Sequence, residues 1–494
     1  MKGSMRFTRS AFATTATRAA ALAMLAVLSA CTVGPDFMRP AASASTHYDQ
    51  QAEQPVTTPG AQRFDMGKHL DGDWWTALRS PRLDQLMRRV VDGNLELVAA
   101  DATIRQATAL VAASEGALYP QVDLAAQAGR QRTHNGPQPS VSNVYSIGPR
   151  VAFDLDLFGG NKRAVEGQQA LADLQKHRFE AAYLTLTGEA ARQALLLASA
   201  NAQMAAVEHL LAIDGKNLDL ARIAQRNGTL TRVDVSLAET RLAQDRTQLP
   251  PLAQQRDAAR HALSVLAGKG PADWIAPDFA LDEFVLPSAI PVSLPSEMAR
   301  ARPDILQAES ELRIASAAVG VATANLYPRV ELSASLAQAA SGNGGAALWG
   351  FAAGLSAPLF NGGTLKAERQ ASVDGYDAAL ARYRQTVIQS FGQIADTLQA
   401  INHGAEQSEA QNDALQAAET SLRLNQQAYA QGENSLLQVL EAERAYEQAL
   451  LGQIRVKTAR HLDAVQLFMA LGGNSVGVFE QAFAKRATHQ PQPL

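Results

Sequence analysis

The sequence predicts a mainly α chain with a small β part, in which long antiparallel coiled-coil helices are joined to four strands. Three observations carry this. The first is a duplication. Ala117-Leu118-Tyr119-Pro120-Gln121-Val122-Asp123-Leu124 recurs as Asn325-Leu326-Tyr327-Pro328-Arg329-Val330-Glu331-Leu332. Leu157-Phe158-Gly159-Gly160 recurs as Leu359-Phe360-Asn361-Gly362-Gly363, and Leu263-Ser264-Val265-Leu266-Ala267-Gly268 recurs as Leu467-Phe468-Met469-Ala470-Leu471-Gly472. Three landmarks in one order at one spacing mark a repeated unit of about 200 residues. The second is a strict alternation of apolar and polar residues after each Tyr-Pro. The third is a long proline-free heptad pattern after each alternating stretch. An aromatic content of only 6% in 494 residues agrees with long helices more than with a large globular core.

The N-terminus reads as an address. Arg6, Arg9 and Arg18 precede the apolar run from Ala19 to Leu28, which is too short to span a membrane but suits a signal-peptide core. The run ends in Leu28-Ser29-Ala30-Cys31, which resembles the bacterial lipobox. That resemblance implies removal of residues 1–30 and acylation of Cys31, the only cysteine. Two or three acyl chains anchor stably, since each buried methylene is worth about 0.8 kcal/mol. Thr32 follows, where an Asp would retain a lipoprotein at the inner membrane, so the expected address is the outer membrane. After Cys31 no eighteen residues are uninterruptedly apolar, so a crossing of the membrane falls to strands of a closed barrel.

Residues 31–92 form an acylated N-terminal segment, and the first repeat occupies 93–269. Residues 93–118 are helical, with Leu97, Ala100, Ile104, Ala107 and Val111 on one face, and Pro120 ends the helix. A strand hairpin over 121–157 follows. Val122, Leu124, Ala126 and Ala128 oppose Gln121, Asp123 and Gln127; after a polar loop, Tyr145, Ile147, Val151, Phe153, Leu155 and Leu157 oppose Ser146, Arg150, Asp154 and Asp156. Each strand is about ten residues, enough to cross a bilayer when tilted. A helix over 161–226 carries a three–four beat through Phe179, Tyr183, Leu186, Ala190, Leu197, Ala200, Met204, Val207, Leu211, Leu218 and Ala221, with Gln193 and Asp214 at skipped positions. At 1.5 Å per residue it reaches about 100 Å. A short turn at Gly228 and a return helix from Val233 to Leu266 complete a helical hairpin, which Pro250-Pro251 should kink or break.

Five prolines mark residues 270–299 as a connection between the copies, and residues 300–473 repeat the plan. Its strand hairpin, 329–359, sets Val330, Leu332, Ala334 and Leu336 against Arg329, Glu331, Ser333 and Ser335, then Trp349, Phe351, Ala353, Leu355 and Leu359 against Gly350, Gly354 and Ser356. The long helix beats through Tyr376, Leu380, Tyr383, Val387, Phe391 or Ser390, Ile394, Leu398 and Ile401. It turns at Gly432 and returns over Leu436 to Leu471; residues 474–494 are a tail. Apolar-out, polar-in alternation suits a membrane barrel, and it equally suits a soluble hairpin with one face on a core. Four strands cannot close a membrane barrel; eight, from a dimer, leave a lumen filled by side chains; twelve, from a trimer, leave a channel.

At this point the residues resemble a known family. Cys31-Thr32-Val33-Gly34-Pro35-Asp36-Phe37, then Asp73-Trp74-Trp75, Leu78, Pro81, Leu83, Leu86 and Asn94, the doubled Tyr-Pro and the helical-hairpin turns resemble TolC-like outer-membrane factors of the lipoprotein, NodT-type branch. The resemblance implies a homotrimeric twelve-strand barrel on a twelve-helix periplasmic tunnel. It also implies a periplasmic adaptor protein and an inner-membrane pump as partners, and a passive efflux duct in the outer-membrane lipid. It places the closed aperture and the adaptor dock at the hairpin tips. There Gly228, Thr229, Gly432, Asn434 and Ser435 are the candidate docking residues, and Asp234, Glu433, Leu436 and Leu437 the candidate gate. Asp234 and Glu433 read equally as acids at helix N-termini, and the leucines as helix packing. The second tip is expected to line the aperture and the first to brace it.

Other classes fare poorly. His-Glu-x-x-His, Gly-x-Ser-x-Gly and phosphate-loop patterns are absent, the nine histidines are scattered, and one cysteine cannot build a metal site, so no enzyme, cofactor or metal is expected. The net charge is −4 with no basic run interleaved with aromatics, which argues against nucleic acid. The competing readings are the duct of a type I protein-secretion system and a non-conducting coiled-coil envelope lipoprotein.

Overall fold

In the computed structural model, residues 32–41, 45–49, 53, 58–68, 73–133, 140–341 and 344–473 are described. The expected signal peptide, Cys31, the loop 134–139 and the 474–494 tail lie outside them. The N-terminal segment holds β1 (Arg63–Met66) and leads through α1 (Pro81–Gly93) into the first copy, which runs through α2 (Leu95–Gly116), β2 (Gln121–Thr133) and β3 (Ser140–Asp154), then α3 (Gly160–Arg226), α4 (Arg232–Arg246) and α5 (Leu249–Leu266). The connection holds β4 (Ala289–Val292) and leads through α6 (Pro295–Ala301) into the second copy, which runs through α7 (Pro303–Ala324), β5 (Arg329–Ser341), β6 (Gly344–Ser356), α8 (Thr364–Ala430) and α9 (Leu436–Ala470).

Local chemistry sets these boundaries. Ser80 caps α1 by accepting from the Leu83 N–H at 3.2 Å, with Pro81 in the first turn. Asn94, extended at φ −69° and ψ 125°, ends α1 and starts α2 by accepting from the Leu97 N–H. The first return helix breaks at Thr247–Gln248, just before the two prolines, which sit in the first turn of α5 where their missing N–H groups cost nothing. The strands exceed the expected ten residues: β2, β5 and β6 have 13 and β3 has 15. A ladder is made by the backbone, so pairing continues past the apolar stretch into Arg130↔Asn143 and Gln131↔Ser142.

The chain divides into two units, each drawing on both copies of the repeat. The first holds the described parts of 1–40, 103–175 and 307–384. Its strands form one antiparallel sheet in the order β2-β3-β5-β6. The segment after Cys31 is strapped to it: the Val33 N–H donates to the Phe158 carbonyl at 3.1 Å, and Arg163, 3% exposed, reaches Asp36 at 2.6 Å and Glu166 at 2.8 Å. Gly34, at φ +92°, lies so close to Gly320 that an added Cβ would meet its Cα at 2.6 Å.

The second unit holds the described parts of 41–102, 176–306 and 385–494. Here β1 pairs in parallel with β4, an element of the proline-rich connection that the sequence reading left unresolved. The Asp73-Trp74-Trp75 motif is core: both tryptophans are buried, Trp74 packs on Phe468 at 5.7 Å and Trp75 on Tyr183 at 6.5 Å. One window of α3 is long and apolar enough to pass for a membrane span, which the run-length criterion missed. The same helix buries Ala190, Ala191, Ala194, Leu195, Leu197 and Ala198 completely, the packing of an alanine-rich core helix. The expected stripe is largely the buried one, with Leu210 in place of Leu211, and with Ser390 as the buried one of the pair Phe391 or Ser390.

Candidate functional site

Two regions carry the expected function. In the sheet, the registers of all four strands agree on one apolar face. Val122 pairs with Val151, Val151 with Ala334, and Ala334 with Phe351. The adjacent file on the other face is polar: Asp123, Arg150, Ser335 and Gly350. A slip of one residue at any pairing would have mixed the faces. Val122, Leu124, Tyr145, Ile147, Leu336, Phe351 and Leu355 are exposed, and Trp349 is 82% exposed. Side chains of that size, all on one face and open, form a surface that water does not suit and lipid does. Strands β2 and β6 are the two edges of this sheet.

The hairpin tips share one backbone design. Gly228 at φ +75° and Gly432 at φ +78° take the left-handed position that ends α3 and α8. The next N–H closes each turn five residues back, from Thr229 to Ala224 at 3.0 Å and from Glu433 to Ala428 at 2.9 Å. Each return helix then starts with a capping box, Thr231 with Asp234 and Ser435 with Gln438. Asn434 donates to Asn425 at 2.5 Å and ties the second turn to the end of α8.

The tip residues singled out from sequence have divided duties. The Asp234 carboxylate accepts from the Thr231 hydroxyl at 2.7 Å and the Thr231 N–H at 2.8 Å. The Thr231 hydroxyl, then its backbone N–H, hold that carboxyl below its ordinary value. Here it is a capping residue, the plainer of its two readings. Leu436, 6% exposed, packs with Leu218, Ala221, Val235, Ala238 and Leu440, so it joins the two hairpins. Glu433 and Leu437 are exposed, as are Gly228, Thr229, Gly432 and Ser435, and Asn434 is half-buried. The sequence reading missed a buried charged contact between the same hairpins, formed by Asp214, Arg241, Asp245, Glu443 and Glu447. Asp214 on an apolar stripe was its visible sign.

The outer membrane efflux protein profile matches residues 86–269 and 294–473, one match on each copy of the repeat. The chain belongs to the outer membrane efflux protein family. Within the family it is 31% identical over 424 residues to the pyoverdine export outer membrane protein OpmQ of Pseudomonas aeruginosa, covering 81% of this chain and 87% of that one. It is 27% identical over 474 residues to the solvent efflux pump outer membrane protein SrpC of Pseudomonas putida, covering 91% and 96%. The solved outer-membrane channel OprN superposes with a TM-score of 0.82 at 27% identity, over 90% of this chain and 99% of that one. The Campylobacter jejuni outer membrane channel CmeC, at 19% identity, has the same fold, with a TM-score of 0.80 over 92% and 98%. The TolC-like resemblance of the sequence is thereby shown, and the protein is an outer membrane efflux channel.

Proposed function

We propose that three copies of this efflux protein close a twelve-strand barrel on a twelve-helix periplasmic tunnel, as the exit duct of a tripartite efflux system. The observation that carries this is the four-stranded sheet with one apolar face and two edges, β2 and β6. Unpaired edges are intolerable in hydrocarbon, so the edges must meet those of other copies. Thirteen residues at about 3.3 Å each, tilted by about 45°, rise about 30 Å, the thickness of the bilayer core. An inner-membrane pump and a periplasmic adaptor deliver the substrate; the chain itself catalyses nothing. Relatives whose names specify pyoverdine or solvents support small-molecule efflux over protein secretion. Acylation at Cys31 would add a lipid anchor, testable by mass spectrometry of the mature N-terminal peptide.

A heat-labile trimer that conducts ions in planar bilayers is the expected result. A non-conducting rod would support the envelope tether instead. For the gate, the proposal keeps Glu433 with Leu437 at the aperture, because both are exposed at the second tip, and gives Asp234 and Leu436 supporting roles. Glu433→Ala with Asp234→Ala should make the closed channel leakier. Conductance equal to the parent would remove Glu433 from the aperture and Asp234 from its support.

A further inference from the structure

Beside their apolar contact, the two hairpins share a charged one about three to five helical turns from the tip glycines. It comprises Asp214 on α3, Arg241 and Asp245 on α4, and Glu443 and Glu447 on α9. Asp214 is 4% exposed, Asp245 2%, Glu443 2% and Glu447 3%. Four buried carboxylates thus face one guanidinium. Arg241 bonds to Glu447 and lies 2.8 Å from Asp245. The neutral neighbours are donors: Asn217 to Glu443 at 2.7 Å, Gln248 to Glu447, and Gln426 of α8 to Glu443. Even so, Asp214 Oδ2 and Glu443 Oε2 are buried with no hydrogen-bond partner, Asp245 Oδ2 has only the Arg241 guanidinium beside it, and the Asp214 and Asp245 carboxyls lie within hydrogen-bond reach of each other, which needs a proton between them. An ionised carboxylate left in that state is expensive, and a proton removes the cost.

We propose that this cluster holds the two hairpins together only while it carries a proton, so that a rise in pH parts them. Burial, then the facing Asp245, push Asp214 up to about 8, and burial raises Glu443. Parted and hydrated, Asp214 returns toward 3.8. The packed state therefore binds the proton more tightly. Packing is fully favoured at the acid end of this window and weakens by up to about tenfold per pH unit as the pH climbs to about 8, with no further loss above it. The consequence for conduction rests on the channel reading; the proton link itself does not.

Hydrogen exchange of the full-length protein, corrected for the intrinsic rate, reads the packing through the amides around Arg241 and Glu443. Their protection should fall at least about tenfold between about pH 6 and about pH 8 in the parent. It should stay flat and high in Asp214→Asn, which keeps the shape and loses the titration. Should Asp214→Asn not fold, Glu443→Gln must show a shallower slope than the parent. A flat parent profile, or the parent's slope retained in the variant that folds, overturns the proposal. Conductance rising over the same window would extend it to the channel. No conductance at any pH beside an intact exchange slope would count against the channel reading alone.

Discussion

Neighbouring residues at the tips take opposite roles, and the structure separates them. Leu436 is in the contact that joins the hairpins, while Leu437 is 49% exposed. Leu436→Ala should cost about 2–4 kcal/mol, as for other buried leucines, and Leu437→Ala within about 0.5 kcal/mol, both measured by chemical denaturation. Asp234→Ala removes a capping box and should cost about 0.5–1 kcal/mol, at the low end because the group faces water. Its carboxyl is depressed in the folded state, so the stabilisation is present at neutral pH. It is lost as the pH falls below the ordinary carboxylate range. A parent and an Asp234→Ala variant that lose stability equally on acidification would remove this account.

At the scale of elements, close approach decides what can change. An added Cβ at Gly148 of β3 would land on the Leu336 carbonyl of β5, a backbone atom that cannot swing away. Gly148→Ala should weaken the β3–β5 seam that joins the two strand hairpins by about 1–3 kcal/mol, seen as a lower dissociation temperature for the proposed trimer. By contrast, the prolines of α5 are where a helix tolerates them, which explains a break without a disturbed fold. The helices were legible because 67 residues without proline leave little else for the chain to do, and heptad spacing marks the buried face. The parallel pairing of β1 with β4 was not legible: four residues each, paired across about 225 residues of chain as Arg63 with Ala289, carry too little pattern to announce a partner.

For the whole molecule, the open apolar face and the two edge strands make the isolated chain incomplete. Trp349→Arg or Phe351→Arg places a charge on that face, at a cost of about 2–4 kcal/mol per chain at the bilayer midplane, and threefold in a trimer. The expected outcome is loss of the proposed membrane-inserted, heat-labile trimer on gels. Ser335→Arg, on the opposite file, should leave insertion intact and alter conductance instead. Equal losses from both substitutions would mean that the two faces are not distinguished by lipid.

The sequence by itself determined the duplication, the helix lengths, the tip glycines and the alternation of the strands, because each is a periodic or local property. Tertiary structure alone decided that all four strands share one apolar face, since that depends on register between segments about 200 residues apart. It also set the capping contact of Asp234 and the packing of Leu436, and it gathered Asp214, Arg241, Asp245, Glu443 and Glu447 into one buried contact. Those five residues lie on three helices, and only Asp214, at a skipped position of the apolar stripe, signals burial along the sequence; the rest become a contact only when packing removes the water.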